Sequence, residues 1–300
     1  MRRAVVALAV IVAALLCGCG AGGGAASGGR IQVVAAESFW GSLASQLGGD
    51  RVNVTNIVSN PAADPHSYEP TPADGRALAG ARMAILNGAG YDAWASKLLS
   101  ANPSGGRVVL SVGDLVGVHA GGNPHLWYSP GYVARAIGAI TSAYRRLDPK
   151  DAAYFAARQR SFRTVGLARY RGLIAQIRRR YSGTPVGASE SIFAPLAQAL
   201  SLRLLTPSGF LAAISEGTDP TAADKATTDR QITGRAVRVW VSTGQNSTPD
   251  VQRLTAAARR AGVPTTTITE TPVPASASFQ AWQVAQLDAL RRALARATGR

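Results

Sequence analysis

Cysteine is almost missing from this 300-residue chain: Cys17 and Cys19 are the two present, and both lie close to the start. A mature chain beginning at Cys19 would keep one thiol. That excludes an intramolecular disulfide scaffold, a cysteine-built zinc site and thiol catalysis. Histidine is nearly as scarce, with three residues, and carboxylates number 17 against 32 lysines and arginines. No apolar run reaches the roughly 20 residues a membrane helix needs. Stability must therefore come from a packed core, which about 280 residues can supply, most naturally as two domains.

The formal net charge of +15 comes almost entirely from arginine. Nucleic acid is the usual reading of such a number. Here the arginines are scattered along helical segments and no nucleic-acid motif accompanies them, so no nucleic-acid partner is expected. Weak attraction to anionic lipid would be a by-product of this composition. The overall field opposes cation binding, so any cation site must draw its affinity from local carboxylates.

The first residues read as an export signal. Arg2 and Arg3 precede the apolar run Ala4 to Leu16, which ends in Leu16-Cys17-Gly18-Cys19. This resembles a bacterial lipobox, with residues 1–18 removed and Cys19 acylated as the new N-terminus. Residues 19–30, rich in glycine, would be a flexible tether. The chain is accordingly expected on the outer face of the cell membrane, lipid-anchored and monomeric. Asn53-Val54-Thr55 and Asn246-Ser247-Thr248 match the glycosylation pattern, which a bacterial lipoprotein makes irrelevant.

Beyond the tether, β-rich runs alternate with helical patterns, which argues for parallel βα units. Strands are expected at 31–35, 52–58, 83–87 and 108–111, with helices at 38–47, 72–79, 91–99 and 132–147. A second series has strands at 185–189, 202–205, 236–242 and 264–269, with helices at 191–200, 249–261 and 279–298. Between them, Asp148-Pro149 opens a segment whose apolar residues recur at helical spacing up to Tyr181 and which closes on Arg178-Arg179-Arg180. Read as one helix, it would be a rigid strut about 50 Å long, and its terminal arginines a solvated helix end. The expected architecture is α/β: two Rossmann-like lobes with parallel sheets, residues 31–147 and 182–300, joined by a connecting helix over 148–181. No internal repeat is visible in the sequence.

Two of the three histidines sit in matched settings. His66 lies in Asp64-Pro65-His66-Ser67-Tyr68, and His125 in Asn123-Pro124-His125-Leu126-Trp127. A preceding proline restricts the backbone and stiffens the segment, which suits a residue held as a ligand. In open α/β sheets ligands bind beyond the carboxyl ends of strands. That rule selects His66, His125, Glu190 and Glu270, each following an expected strand, two from each lobe. Two imidazoles and two carboxylates suit a divalent transition cation: zinc, manganese or iron. Four protein ligands with no evident water position argue for carriage, not catalysis. Glu216 is the rival for the fourth position. His119, in a glycine-rich loop, is expected to be solvated, and Trp94 and Trp127 to be core or cleft-wall residues. Gly187-Ala188-Ser189-Glu190-Ser191 lacks the last glycine of a nucleophile elbow.

These segments resemble the metal-binding solute-binding lipoproteins of zinc and manganese ABC importers. The resemblance is carried by Gly48-Gly49-Asp50-Arg51-Val52, Asp64 to Pro72, Asn87-Gly88-Ala89-Gly90-Tyr91-Asp92-Ala93-Trp94 and Asn123 to Pro130. Further on it is carried by Ala188-Ser189-Glu190-Ser191-Ile192-Phe193, Ser215 to Thr221 and Thr269-Glu270-Thr271. It implies a site in the interlobe cleft made by His66, His125, Glu190 and Glu270, with Zn²⁺ or Mn²⁺ as the transported ligand and an ABC permease as partner. Zinc-selective members carry His at the third position and often a His-rich loop. Manganese-type members carry Glu there and commonly Asp at the fourth. His-His-Glu-Glu matches neither set, so the metal stays open. The competing readings are an exported metallohydrolase with Glu190 as base, which no His-Glu-x-x-His pattern supports, and a surface adhesin that retains the fold.

Overall fold

The computed structural model describes residues 29–61, 68–245 and 247–300. The leader, Cys19, most of the tether and His66 lie outside the described residues. Among the described residues no helix is long and apolar enough to cross a membrane.

The first sheet contains β1 (Ile31–Glu37), β2 (Val52–Val58), β3 (Met83–Leu86) and β4 (Val108–Ser111). They are parallel and ordered β2-β1-β3-β4. Strands covered by helices on both faces read as continuous apolar runs, and β3 is buried at every position. Side-chain alternation divides the two central strands between two cores. Val33, Ala35, Met83 and Ile85 face one layer. Val34, Ala36, Ala84 and Leu86 face the other, against Leu78 and Trp94.

Around this sheet lie α1 (Ser38–Gly48), α2 (Pro72–Ala79), α3 (Ala93–Ala101), α4 (Val112–Val116) and α5 (Pro130–Leu147). Local chemistry sets their starts. Thr71 and Asp74 form a reciprocal capping box with Pro72 in the first turn of α2. Ser129 caps α5, with Pro130 in its first turn, so α5 begins two residues before the periodicity suggests. Conversely, α3 starts at Ala93 and not Tyr91, because the Asp92 carboxylate turns back to accept from the N–H groups of Asn87 (2.7 Å) and Gly88 (2.8 Å).

The second sheet repeats the plan that the sequence hides. β5 (Pro185–Ala188), β6 (Arg203–Leu204), β7 (Val239–Thr243) and β8 (Thr265–Ile268) are parallel and ordered β6-β5-β7-β8. Two helices not read from the sequence, α9 (Ser208–Ser215) and α10 (Ala222–Thr233), accompany α8 (Ala194–Ala199), α11 (Pro249–Arg260) and α12 (Phe279–Thr298). α10 is nearly polar all round, with Thr228 and Ile232 as its buried residues, so its apolar periodicity is faint.

The connecting segment departs from the expected single helix. After a short turn at Pro149–Asp151 it forms α6 (Ala152–Ser161), a π-turn over Phe162–Gly166, and α7 (Ala168–Tyr181). Leu167 N–H reaches back to the Phe162 carbonyl at 2.9 Å, and Val165 is pushed into solvent. The buried positions step by five across this turn, from Phe162 to Leu167, but the apolar and exposed Val165 sits at helical spacing from Phe162, so the break is invisible in the apolar pattern. α6 packs on α1 and α5, and α7 packs on α12.

The lobes share one core. Phe39 of α1 stacks on Trp127 at 4.2 Å and lies 6.4 Å from Trp282 of α12. Phe279 meets Tyr170 of α7 edge-on. One buried cluster runs without interruption from Val33 through Trp127 to Val241 and Leu290. This shared core, and not an unbroken strut, is what resists a wide hinge.

Candidate metal centre

The structure brings three of the four expected ligands together. Ligand atoms of His125, Glu190 and Glu270 all lie within 4.8 Å of one another, and all three residues are buried. His125 Nε2 is 3.7 Å from Glu190 Oε1. Metal–ligand bonds of about 2.0–2.2 Å place tetrahedral neighbours about 3.4 Å apart, so the His125–Glu190 pair is already near that spacing. Glu216, the rival fourth residue, is exposed at the end of α9 and stands outside the cluster. His119 is exposed, 4.0 Å from Asp114. Trp127 and Trp94 are buried, the former against Phe39.

His125 is held by atoms the sequence did not single out. Its Nδ1 is 2.8 Å from Asn123 Oδ1. The Asn123 amide is oriented by its other end, where Nδ2 donates to the Ser191 carbonyl at 2.7 Å across the lobe boundary. Oδ1 therefore faces the ring as an acceptor, Nδ1 carries the proton, and Nε2 turns its lone pair toward the carboxylates. The backbone beside it is pinned too. Asn87 Nδ2 donates to the Pro124 carbonyl at 2.8 Å, while Asn87 Oδ1 accepts from Trp40 Nε1 at 3.1 Å.

Glu190 follows β5 in extended backbone, ahead of the turn Ser191–Phe193. Its side chain makes no capping bond to that turn. The preceding Ser189 is locked, accepting from Thr243 N–H at 3.0 Å through its hydroxyl.

Glu270 follows β8 by two residues. Its N–H donates to Gln245 Oε1 at 3.0 Å, and its Oε2 accepts from the Tyr91 hydroxyl of the first lobe at 2.9 Å. Tyr128 donates to the Thr269 carbonyl at 2.7 Å, and Gln286 accepts from Thr269 N–H at 2.8 Å. Burial first, and then the nearby carboxylates of Glu270 and Glu190, hold the Tyr128 hydroxyl well above its ordinary range. Tyr128 thus stays a neutral donor.

The residues on either side of 62–67 make firm contacts. Gln245 Nε2 donates to the Pro61 carbonyl at 3.2 Å. At the far end, Tyr68 donates to Asp74 Oδ2 at 3.0 Å and packs on Trp94.

Behind His125, at the end of β1, a second carboxyl pair is buried. Burial, and next the negative charge of Asp92, hold the Glu37 carboxyl well above the usual carboxylate range. Burial raises Asp92 as well, opposed by the Gly88 and Asn87 N–H bonds. Keeping Glu37 protonated removes the like-charge repulsion between the two carboxyls.

Two α/β lobes meeting over a buried imidazole–carboxylate cluster give the architecture of a bilobal binding protein. Residues 33–293 match the family described as zinc-uptake complex component A, periplasmic, and the chain belongs to that family. It is 26% identical over 164 residues to the manganese-binding lipoprotein MntA of Halalkalibacterium halodurans, covering 51% of this chain and 52% of that protein. It is 26% identical over 180 residues to the iron-binding protein YfeA of Yersinia pestis, covering 56% of each. The chain thus spans about half the length of the curated relatives it matches. A Mn-bound periplasmic metal-binding protein from Candidatus Liberibacter asiaticus shares the fold with a TM-score of 0.73 at 18% identity, over 88% of this chain and 99% of that one. A crystal structure of ZnuA aligns with a TM-score of 0.69 at 21% identity, over 88% and 98%.

Proposed function

We propose that this protein captures a divalent transition cation, Mn²⁺ or Zn²⁺, outside the cell membrane and hands it to an ABC permease, without catalysing a reaction. The observation that supports this reading is the buried convergence of His125, Glu190 and Glu270 from both lobes. Two carboxylates buried at this range repel one another unless a cation lies between them. His66 would complete the set, giving two neutral imidazoles and two negative charges against a doubly charged ion. Relatives named for manganese and for iron agree with a mixed nitrogen–oxygen donor set.

Cargo enters and leaves with little motion of the shared core, so release would require the permease to distort the ligand set. Acylation at Cys19 would keep the receptor near that partner. The experiment is a calorimetric titration with Mn²⁺ and with Zn²⁺ of the native chain and of His66→Ala, His125→Ala and Glu190→Gln. One ion per chain in the native protein, with affinity reduced at least about 100-fold in each variant, is expected. Unchanged affinity in the His66 and His125 variants would refute the ligand set.

A further inference from the structure

The scattered arginines of the sequence are gathered by the fold. In the second lobe, short connections put the C-terminus of each helix beside the amino end of the next strand. α7 ends at Tyr181 and β5 starts at Pro185; α10 ends at Thr233 and β7 starts at Val239; α11 ends at Arg260 and β8 starts at Thr265. Arg178–Arg180, Arg235 and Arg259–Arg260 therefore share one edge of the lobe. The first row of strands adds Arg203, paired with Pro185, and Arg238, whose N–H donates to the Pro185 carbonyl at 2.8 Å.

Two contacts close the array. Arg300 donates to the Arg180 carbonyl at 3.3 Å, and Tyr181 donates to the Arg300 carbonyl at 3.3 Å, which brings the end of α12 with Arg296 against the end of α7. Arg235 lies against Gly262, directly after α11. All ten arginines are exposed, and among the described residues none is in an ion pair. Of the carboxylates of this lobe, Asp288 pairs with Arg169 and Arg291, Asp229 with Arg253, and Asp250 with Lys225, none of them in this array. Helix dipoles favour basic residues at these termini, but that accounts for one or two per helix and not for Arg203 and Arg238 on the strands.

We infer that this arginine edge is a docking surface for an anionic phospholipid bilayer. A lipid surface is the polyanion that the lipobox of residues 16–19 and the glycine-rich tether put within reach, and the inference rests on that anchor. Guanidinium groups bind phosphate with paired donors, and each basic residue near an anionic leaflet adds to the attraction. The edge is opposite the one that carries Glu190 and Glu270, at the other ends of β5 and β8. A receptor lying on it would hold its cleft away from the bilayer, in a receiving posture, and would have to lift off and turn on its tether to deliver.

The test places the lipidated full chain in vesicles through its own anchor. Ser182, exposed on this edge, is substituted (Ser182→Cys) and carries a fluorophore; headgroup spin-labelled lipid is the quencher. Bilayers of phosphatidylcholine are compared with bilayers containing about 30 mol% phosphatidylglycerol, at roughly 0.01 M and 1 M salt, where the screening length falls from about 30 Å to about 3 Å. Quenching several-fold stronger on the anionic bilayer, abolished by salt and by Arg178→Gln/Arg179→Gln/Arg180→Gln, is expected. Arg145→Gln/Arg146→Gln/Arg163→Gln removes as much charge elsewhere and should leave it. Equal quenching on both bilayers, or equal loss in both triple variants, would overturn the inference. So would displacement by a DNA oligonucleotide with no dependence on lipid charge. Mn²⁺ affinity is measured on the same samples, so that failure of the docking edge is told apart from failure of the cargo site.

Discussion

Tyr91 of the first lobe donates its hydroxyl to Glu270 Oε2 of the second at 2.9 Å. The bond joins the lobes at the cluster itself and occupies one of the two carboxylate oxygens. Glu270 is thereby disposed to give a cation a single oxygen. Tyr91→Phe would free the second oxygen and loosen the carboxylate. Metal affinity is expected to fall by about 10–100-fold, the usual effect of removing a partner of a ligand. Competition titration against a chelating dye measures it.

Asn123 fixes the histidine tautomer from Nδ1 and spans to the Ser191 carbonyl. Asn123→Ala removes both bonds and leaves the Ser191 carbonyl without this donor. A stability loss of about 1–3 kcal/mol is expected, together with roughly 10–100-fold weaker metal binding. Urea denaturation and titration on the same sample separate the two effects.

The Glu37–Asp92 pair gives a pH signature of stability. Glu37 is raised in the folded state, so the folded chain holds a proton that the unfolded chain releases near the ordinary value of 4.5. The pair's contribution is full below that value and is lost as pH rises toward the raised folded value, by about 1.4 kcal/mol per pH unit at most. Glu37→Gln lacks this titration. The urea midpoint of the native chain should therefore fall relative to the variant as pH rises from about 4.5; parallel profiles would contradict a protonated Glu37.

Phe39 is an aromatic shared by both lobes, its ring 4.2 Å from Trp127 and 6.4 Å from Trp282. Phe39→Ala is expected to cost about 3–5 kcal/mol. Because the core is shared, the loss should appear in the unfolding of both lobes and not of the first alone. Scanning calorimetry with fluorescence of the lobe tryptophans tests this.

Much of this plan is legible in the chain because parallel strands are continuous apolar runs and ligands gather at their carboxyl ends. His125, Glu190 and Glu270 follow from that rule. Choosing Glu270 over Glu216 does not, since both follow apolar stretches; the fold separates them, burying Glu270 beside His125 and Glu190 and leaving Glu216 exposed at the end of α9. The break at Phe162–Gly166 is hidden because Val165, apolar yet exposed, continues the helical spacing from Phe162. Asn87, Tyr91 and Asn123 lie in loops with no period; the pattern marks their stretches but not which atoms they hold. The arginine edge is assembled from five segments far apart in sequence, so it reads as scatter until the sheet is folded.

The central claim is that one cation sits between the lobes on two imidazoles and two carboxylates. Anomalous diffraction at the manganese edge from Mn²⁺-soaked crystals tests it most directly. The account predicts a single strong peak within about 2.0–2.4 Å of His125 Nε2 and of oxygens from Glu190 and Glu270, with His66 as the fourth ligand. A peak elsewhere, or one bonded to Glu216 in place of Glu270, would contradict it.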